Sequence, residues 1–103
     1  MLSYQVESGF DLEEMLALYK ASGINRPIDN PSRMATLLAS ANLLVTARQE
    51  GKLVGLARCM TDKAWVVYIC DLLVDKSAQH QGIGKELLRQ VQHVTGPEVQ
   101  QLL

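Results

Sequence analysis

Leu72-Leu73-Val74-Asp75-Lys76-Ser77-Ala78-Gln79-His80-Gln81-Gly82-Ile83-Gly84-Lys85-Glu86-Leu87-Leu88 decides how the rest of the chain is read. An apolar run ends at Val74, a polar loop follows, and two glycines precede a stretch of helical periodicity. The start of a helix exposes unpaired backbone N–H groups and about half a positive charge, which suits a phosphate. Close approach to those amides requires missing side chains, and Gly82 and Gly84 supply that absence. Gln79, His80, Gln81, Gly82, Ile83, Gly84 and Lys85 are the candidate phosphate-binding residues. Lys76, His80, Lys85 and Arg89 add a local basic rim. The plainer alternative is that the glycines only let a helix pack closely on a sheet. Neither the Walker spacing nor the three-glycine dinucleotide fingerprint occurs, since the first glycine of the latter would fall on Gln79.

Upstream, Ala64 to Val74 is almost continuously apolar, which predicts a central strand covered on both faces. Asp71 is its one charge, and Tyr68 reads as a core tyrosine with a satisfied hydroxyl, or else as a residue lining a pocket. Two further strands precede it, Asn42–Gln49 and Lys52–Thr61, joined at Glu50-Gly51 as a hairpin. Met1–Glu7 alternates as a first strand, with Leu2, Tyr4 and Val6 on one face. Asp11 with Glu14 forms a capping box before a helix carrying Leu12, Met15, Leu16 and Tyr19, which Gly23 ends. Asn30-Pro31 opens a second helix with Met34, Leu37 and Leu38 as its stripe. Downstream of the glycines, Ile83, Leu87, Val91 and Val94 form the buried stripe of a third helix, stopped by Gly96-Pro97. Glu98–Leu103 reads as the start of a last strand. The predicted fold class is therefore α/β (α+β), one domain over 1–103 in the order β-α-α-β-β-β-α-(β). Its sheet is mixed, mostly antiparallel, and flanked by helices, with a right-handed crossover to the last strand.

Composition narrows the functional classes. The chain has 103 residues, 48% of them hydrophobic, and a formal net charge of −1. That balance gives no general attraction to nucleic acid. No apolar run approaches the ~18 residues that span a bilayer, and no leader pattern opens the chain, so a cytoplasmic location is expected. The two cysteines, Cys59 and Cys70, make no disulfide framework and are expected to be buried, reduced thiols. No Cys/His cluster has metal spacing.

The quoted stretch resembles the acetyl-CoA-binding motif of the GNAT superfamily of N-acetyltransferases, Gln/Arg-x-x-Gly-x-Gly/Ala between an apolar strand and a helix. Gln79, Gly82 and Gly84 match its fixed positions. Lys76 departs from it where many members carry Pro. The order of elements from Met1 to Leu103 follows the N-terminal portion of that family's domain. The resemblance implies acetyl transfer from acetyl-CoA to an amine of a small molecule or a protein. It implies that the diphosphate meets the amides of Gln79 to Gly84, and that the pantetheine arm pairs with Leu72, Leu73 and Val74 beside a bulge. It also implies a backbone amide that polarises the thioester carbonyl, here assigned to Val74. Asp71 is the candidate general base, its pKa raised if desolvated. The family's further C-terminal strands lie beyond Leu103, so the chain is expected to be a fragment or to borrow a strand from a second copy as a homodimer. A CoA-binding module without catalysis is the alternative function. The acceptor is illegible, although Arg26 and Asp29 are candidate contacts in the loop after the first helix.

Overall fold

The computed structural model describes all residues, 1–103. Five strands form one sheet in the order β1-β2-β3-β4-β5: β1 Leu2–Val6, β2 Leu43–Gln49, β3 Lys52–Thr61, β4 Val66–Val74 and β5 Gln100–Leu102. The first four run antiparallel to their neighbours, and β5 lies parallel to β4. Three helices cover it: α1 Leu12–Ser22, α2 Pro31–Ala39 and α3 Ile83–Thr95. This is the α/β arrangement expected from the sequence.

The helix starts form for local reasons. Asp11 accepts from the Glu14 N–H, and Asn30 accepts from the Arg33 N–H ahead of Pro31. These caps satisfy donors that the first turn leaves free. Gly23 ends α1 in the left-handed region at φ 78°. The Lys76 ammonium lies 2.8 Å from where a Gly23 Cβ would stand, at the negative end of the α1 dipole.

Two apolar layers sandwich the sheet. Met15, Leu18, Tyr19, Met34 and Leu38 of α1 and α2 pack on Leu44, Leu53, Leu56 and Leu73. On the opposite face Ile83, Leu87 and Val91 of α3 pack on Val45, Ala47, Ala57, Val67 and Ile69. Gly55 permits that second contact. A Cβ there would stand 3.0 Å from Ile83, 3.1 Å from Leu87 and 3.2 Å from Ala47. Gly55→Val is therefore expected to push α3 off the sheet and to cost about 1–3 kcal/mol, read as a lower urea midpoint.

Four expectations need correction. The strand expected from Ala64 begins at Val66, because the Asp62 carboxylate accepts from the N–H groups of Ala64, Trp65 and Val66 and extends the turn. Trp65 is consequently exposed. Tyr68 is half-exposed rather than a core tyrosine, because the helices leave one face of the sheet bare there. Val94 is centred on the α3 stripe yet 46% exposed, so the last turn of α3 overhangs the sheet. Cys59 is buried as expected, but Cys70 is only partly so.

Candidate active site

The β4 strand carries the geometry. Arg58 pairs with Asp71 and Cys59 pairs with Ile69, so Cys70 is an extra residue on β4. An extra residue bulges the strand and shifts its alternation by one. Val67 and Ile69 face α3 before the bulge, and Leu72 and Val74 pack on the same layer after it. Asp71 and Leu73 thereby turn to the α1 face.

The bulge coincides with a change at the strand's outer edge. β5 pairs with β4 only from Val66 to Tyr68. From Ile69 to Val74 that edge has no neighbouring strand. The Asp75 N–H donates to the Val54 carbonyl. By antiparallel alternation, Leu73 then pairs toward β3, and the N–H groups of Leu72 and Val74 point to the uncovered edge. The Val74 carbonyl accepts from the Gln79 side chain at 3.4 Å, which ties the loop to the strand.

A groove of about 360 Å³ follows this edge. Ser22, Gly23 and Ile24 form one wall, Leu72, Leu73 and Val74 the floor, and Gln79 and Gly84 the far end. A larger hollow, about 510 Å³, lies between Val6–Phe10 and Leu38–Leu44. Its main polar groups are already engaged, Glu7 by Arg48 and Thr46, and Asn42 by Thr61.

At the far end of the groove the chain passes through a 3₁₀ turn, Lys76–Ala78, and the left-handed residues His80 (φ 67°) and Gly82 (φ 77°) into α3. Gln79 to Gly82 are exposed and only Ile83 turns inward. Gly82 sits at the cap position of α3 with no side-chain hydrogen bond. The first loop or helix N–H after Gln79 to find an acceptor within the chain is that of Glu86, on the Gly82 carbonyl. Six successive amides, His80 to Lys85, are therefore uncommitted. A Cβ on Gly82 would meet no protein atom within 4 Å, so the space before these amides is open. Amides in this number, at the positive end of a helix, fit a diphosphate. Lys85 and His80 flank them, while Arg89 is turned to Glu86 at 2.7 Å.

Asp71 precedes the groove floor on β4, is buried on the α1 side, and has surroundings unlike those expected of a raised carboxyl. Its Oδ2 accepts from the Tyr19 hydroxyl and from Arg58 Nε, both at 2.7 Å, and its Oδ1 from Arg26 Nε at 2.8 Å. Burial pushes this carboxyl up, but Arg58, Tyr19 and Arg26 together hold it below the ordinary carboxylate value. The raised pKa expected of a general base is thus reversed by partners 13, 45 and 52 residues distant in sequence. Of the two loop residues expected near the acceptor, Arg26 reaches inward. Asp29 lies on the outer side with Lys20 and Leu16.

The two thiols differ in the same way. Burial, with Cys70 nearby, pushes the Cys59 thiol up to about 12, whereas Cys70 is accessible at the bulge. One thiol per chain is expected to react with a disulfide reagent in the native state, and the second only after denaturant is added. Two fast thiols in the native protein would contradict the placement of Cys59.

Known proteins are similar to this chain in sequence and in fold. A chloroplastic GCN5-related N-acetyltransferase 2 of Arabidopsis thaliana is 46% identical over 44 residues, 43% of this chain. The chain spans only 17% of that relative's length. A GNAT family acetyltransferase structure from Streptococcus pneumoniae superposes with a TM-score of 0.77 at 27% identity, covering 100% of this chain and 76% of that one. An aminoglycoside acetyltransferase from an uncultured soil metagenomic sample, in complex with sisomicin, shares the fold with a TM-score of 0.68 at 21% identity, covering 99% and 75%. A sequence model of the acetyltransferase (GNAT) family matches residues 12–96, from α1 to the glycine that ends α3. With the match running through the wall, the floor and the far end of the groove, the chain belongs to the acetyltransferase (GNAT) family.

Proposed function

We propose that the chain binds acetyl-CoA along the β4 edge and transfers its acetyl group to a primary amine. The observation that carries this reading is the run of uncommitted amides from His80 to Lys85, continuous with an uncovered strand edge. In this reading Gln79 to Lys85 hold the diphosphate, and Leu72 to Val74 pair with the pantetheine arm as an added strand would. Of the two outward N–H groups, that of Val74 meets the arm next to the diphosphate loop, and that of Leu72, one strand repeat nearer the bulge, donates to the thioester carbonyl oxygen. Removing such a donor typically costs ~10²–10³ in rate. The amine nitrogen bonds to the acetyl carbon, the carbon–sulfur bond breaks, and the proton lost by the amine ends on the CoA sulfur. Asp71 is assigned to positioning, because both its oxygens are occupied, and the amine must shed its proton to another group or to solvent. Two free thiols suit the reducing cytosol.

Binding without transfer is the second reading, and the engagement of Asp71 favours it. Calorimetry with CoA and with acetyl-CoA tests the first step, and thiol release over a panel of amines tests the second. Tight CoA binding with no thiol release selects the binding module. No binding of either ligand at millimolar concentration removes both readings. Bound CoA is also expected to slow modification of Cys70, which lies on the edge it would cover.

A further inference from the structure

We propose that Arg26 recognises a carboxylate carried by the acceptor amine, which makes amino acid-like amines the preferred acceptors. This inference rests on the acetyl-transfer reading and deepens it. From Val74, beside the diphosphate loop, to Cys70 at the bulge is four residues, about 13 Å at ~3.3 Å per residue. A donor lying extended along that edge carries its acyl end toward the bulge, so the acceptor must arrive there. Arg26 stands at that place. It follows the groove wall Ser22–Ile24 by two residues, and its Nη2 donates to the Cys70 carbonyl at 3.4 Å.

The charge there does not balance. Asp71 is one negative charge, fully buried, facing two guanidiniums, Arg26 and Arg58. Tyr19 adds no charge, because its hydroxyl donates to Asp71 and stays protonated. The remaining partners of the two arginines are carbonyls, of Asn25, Leu37 and Cys70. One positive charge is therefore in excess. A partly desolvated excess charge is unfavourable until an anion meets it. The side chains of Asp71 and Arg58 are 0% and 9% exposed, whereas that of Arg26 is 31% exposed. The excess can be met from solvent only at Arg26. Three of its five N–H donors are hydrogen-bonded, to Asp71, Asn25 and Cys70, and the second N–H on Nη1 has no partner and is open to an incoming oxygen. A charge-assisted bond from that N–H to a carboxylate on the acceptor would satisfy both the charge and the donor. A cationic acceptor without such a group meets like charge.

The test is kcat/KM, by thiol release, for amine pairs that differ only in the carboxylate: alanine and ethylamine, phenylalanine and phenethylamine, lysine and cadaverine. The full chain is used, and its CoA affinity is measured in parallel. The expected result is a preference for the carboxylate member of each pair of roughly tenfold or more. Arg26→Gln should abolish the preference through the KM of the carboxylate member, with CoA affinity unchanged, and Arg26→Lys should retain part of it. Equal kcat/KM within the pairs on the unmodified protein, with CoA bound normally, overturns the inference and leaves the acetyl-transfer reading standing. Loss of CoA binding overturns both. The pairwise comparison needs no variant, so poor folding of Arg26→Gln does not shield the proposal.

Discussion

Asp71→Asn is expected to lower the unfolding free energy by about 3–5 kcal/mol, the usual cost of removing one partner from a buried ion pair. The substitution leaves Arg58, itself buried, with only the Leu37 carbonyl and a weakened contact at residue 71. It also frees Arg26, and with it the loop between α1 and α2. Replacing both members, Asp71→Leu with Arg58→Met, should recover part of the loss relative to Asp71→Leu alone, since an apolar pair removes the unpaired Arg58 charge, while the buried Tyr19 hydroxyl still lacks its acceptor. Urea unfolding of Asp71→Asn, Asp71→Leu and the double variant measures this. A loss below about 1 kcal/mol for Asp71→Asn would show that the cluster is solvated and the burial misjudged. The pH dependence has a definite sign. The folded carboxyl titrates below its ordinary value of 3.8, so its contribution is complete above that value. The contribution is lost as the pH falls through the folded pKa, and the gap between the unmodified protein and Asp71→Asn should close there.

Gly82→Leu is expected to weaken CoA binding by at least about 100-fold, equivalent to ~2.7 kcal/mol. A side chain at residue 82 would occupy the open space in front of the amides of Ile83, Gly84 and Lys85 and hold a diphosphate away. The fold should survive, because that side chain meets no protein atom and only the positive φ is unfavourable, at about 1–2 kcal/mol. Gly84→Ala is the contrast. Its Cβ would lie 3.9 Å from Val74 and 4.0 Å from Leu72, ordinary contact distances, and the expected loss of affinity is less than about fivefold. Calorimetry on both variants decides the matter. Unaltered affinity in Gly82→Leu would detach the loop from the cofactor and remove the main support for acetyl transfer.

Local features were legible in the sequence and distant ones were not. Asp11, Asn30-Pro31 and Gly23 act within a turn of themselves, so the bounds of α1 and the start of α2 could be read directly. The glycine loop was legible because its order, strand then loop then helix, lies in one continuous stretch. The faces of β4 were hidden. An extra residue at Cys70 breaks the two-residue period, and the run from Val66 to Val74 then reads as apolar on both sides. The surroundings of Asp71 were hidden for a different reason. Arg26, Arg58 and Tyr19 come from a loop, a strand and a helix, and no periodicity links them. Burial alone predicted a raised carboxyl, and the arginines that reverse it meet it only in the folded chain. The reach of Arg26 had one faint signal, an arginine in an otherwise bland loop beside a glycine that ends a helix.

The extra residue in β4 also decides which one-residue losses the strand can absorb. Losing the codon at position 70 would remove the bulge and leave Ile69 facing α3, Asp71 facing the arginines and Leu72 facing α3, so every inside and outside position is kept. Losing residue 72 instead would keep the bulge, carry Leu73 beneath α3 and swing Val74 to the opposite face. Random deletion libraries should accordingly tolerate loss of the partly exposed cysteine far better than loss of Leu72.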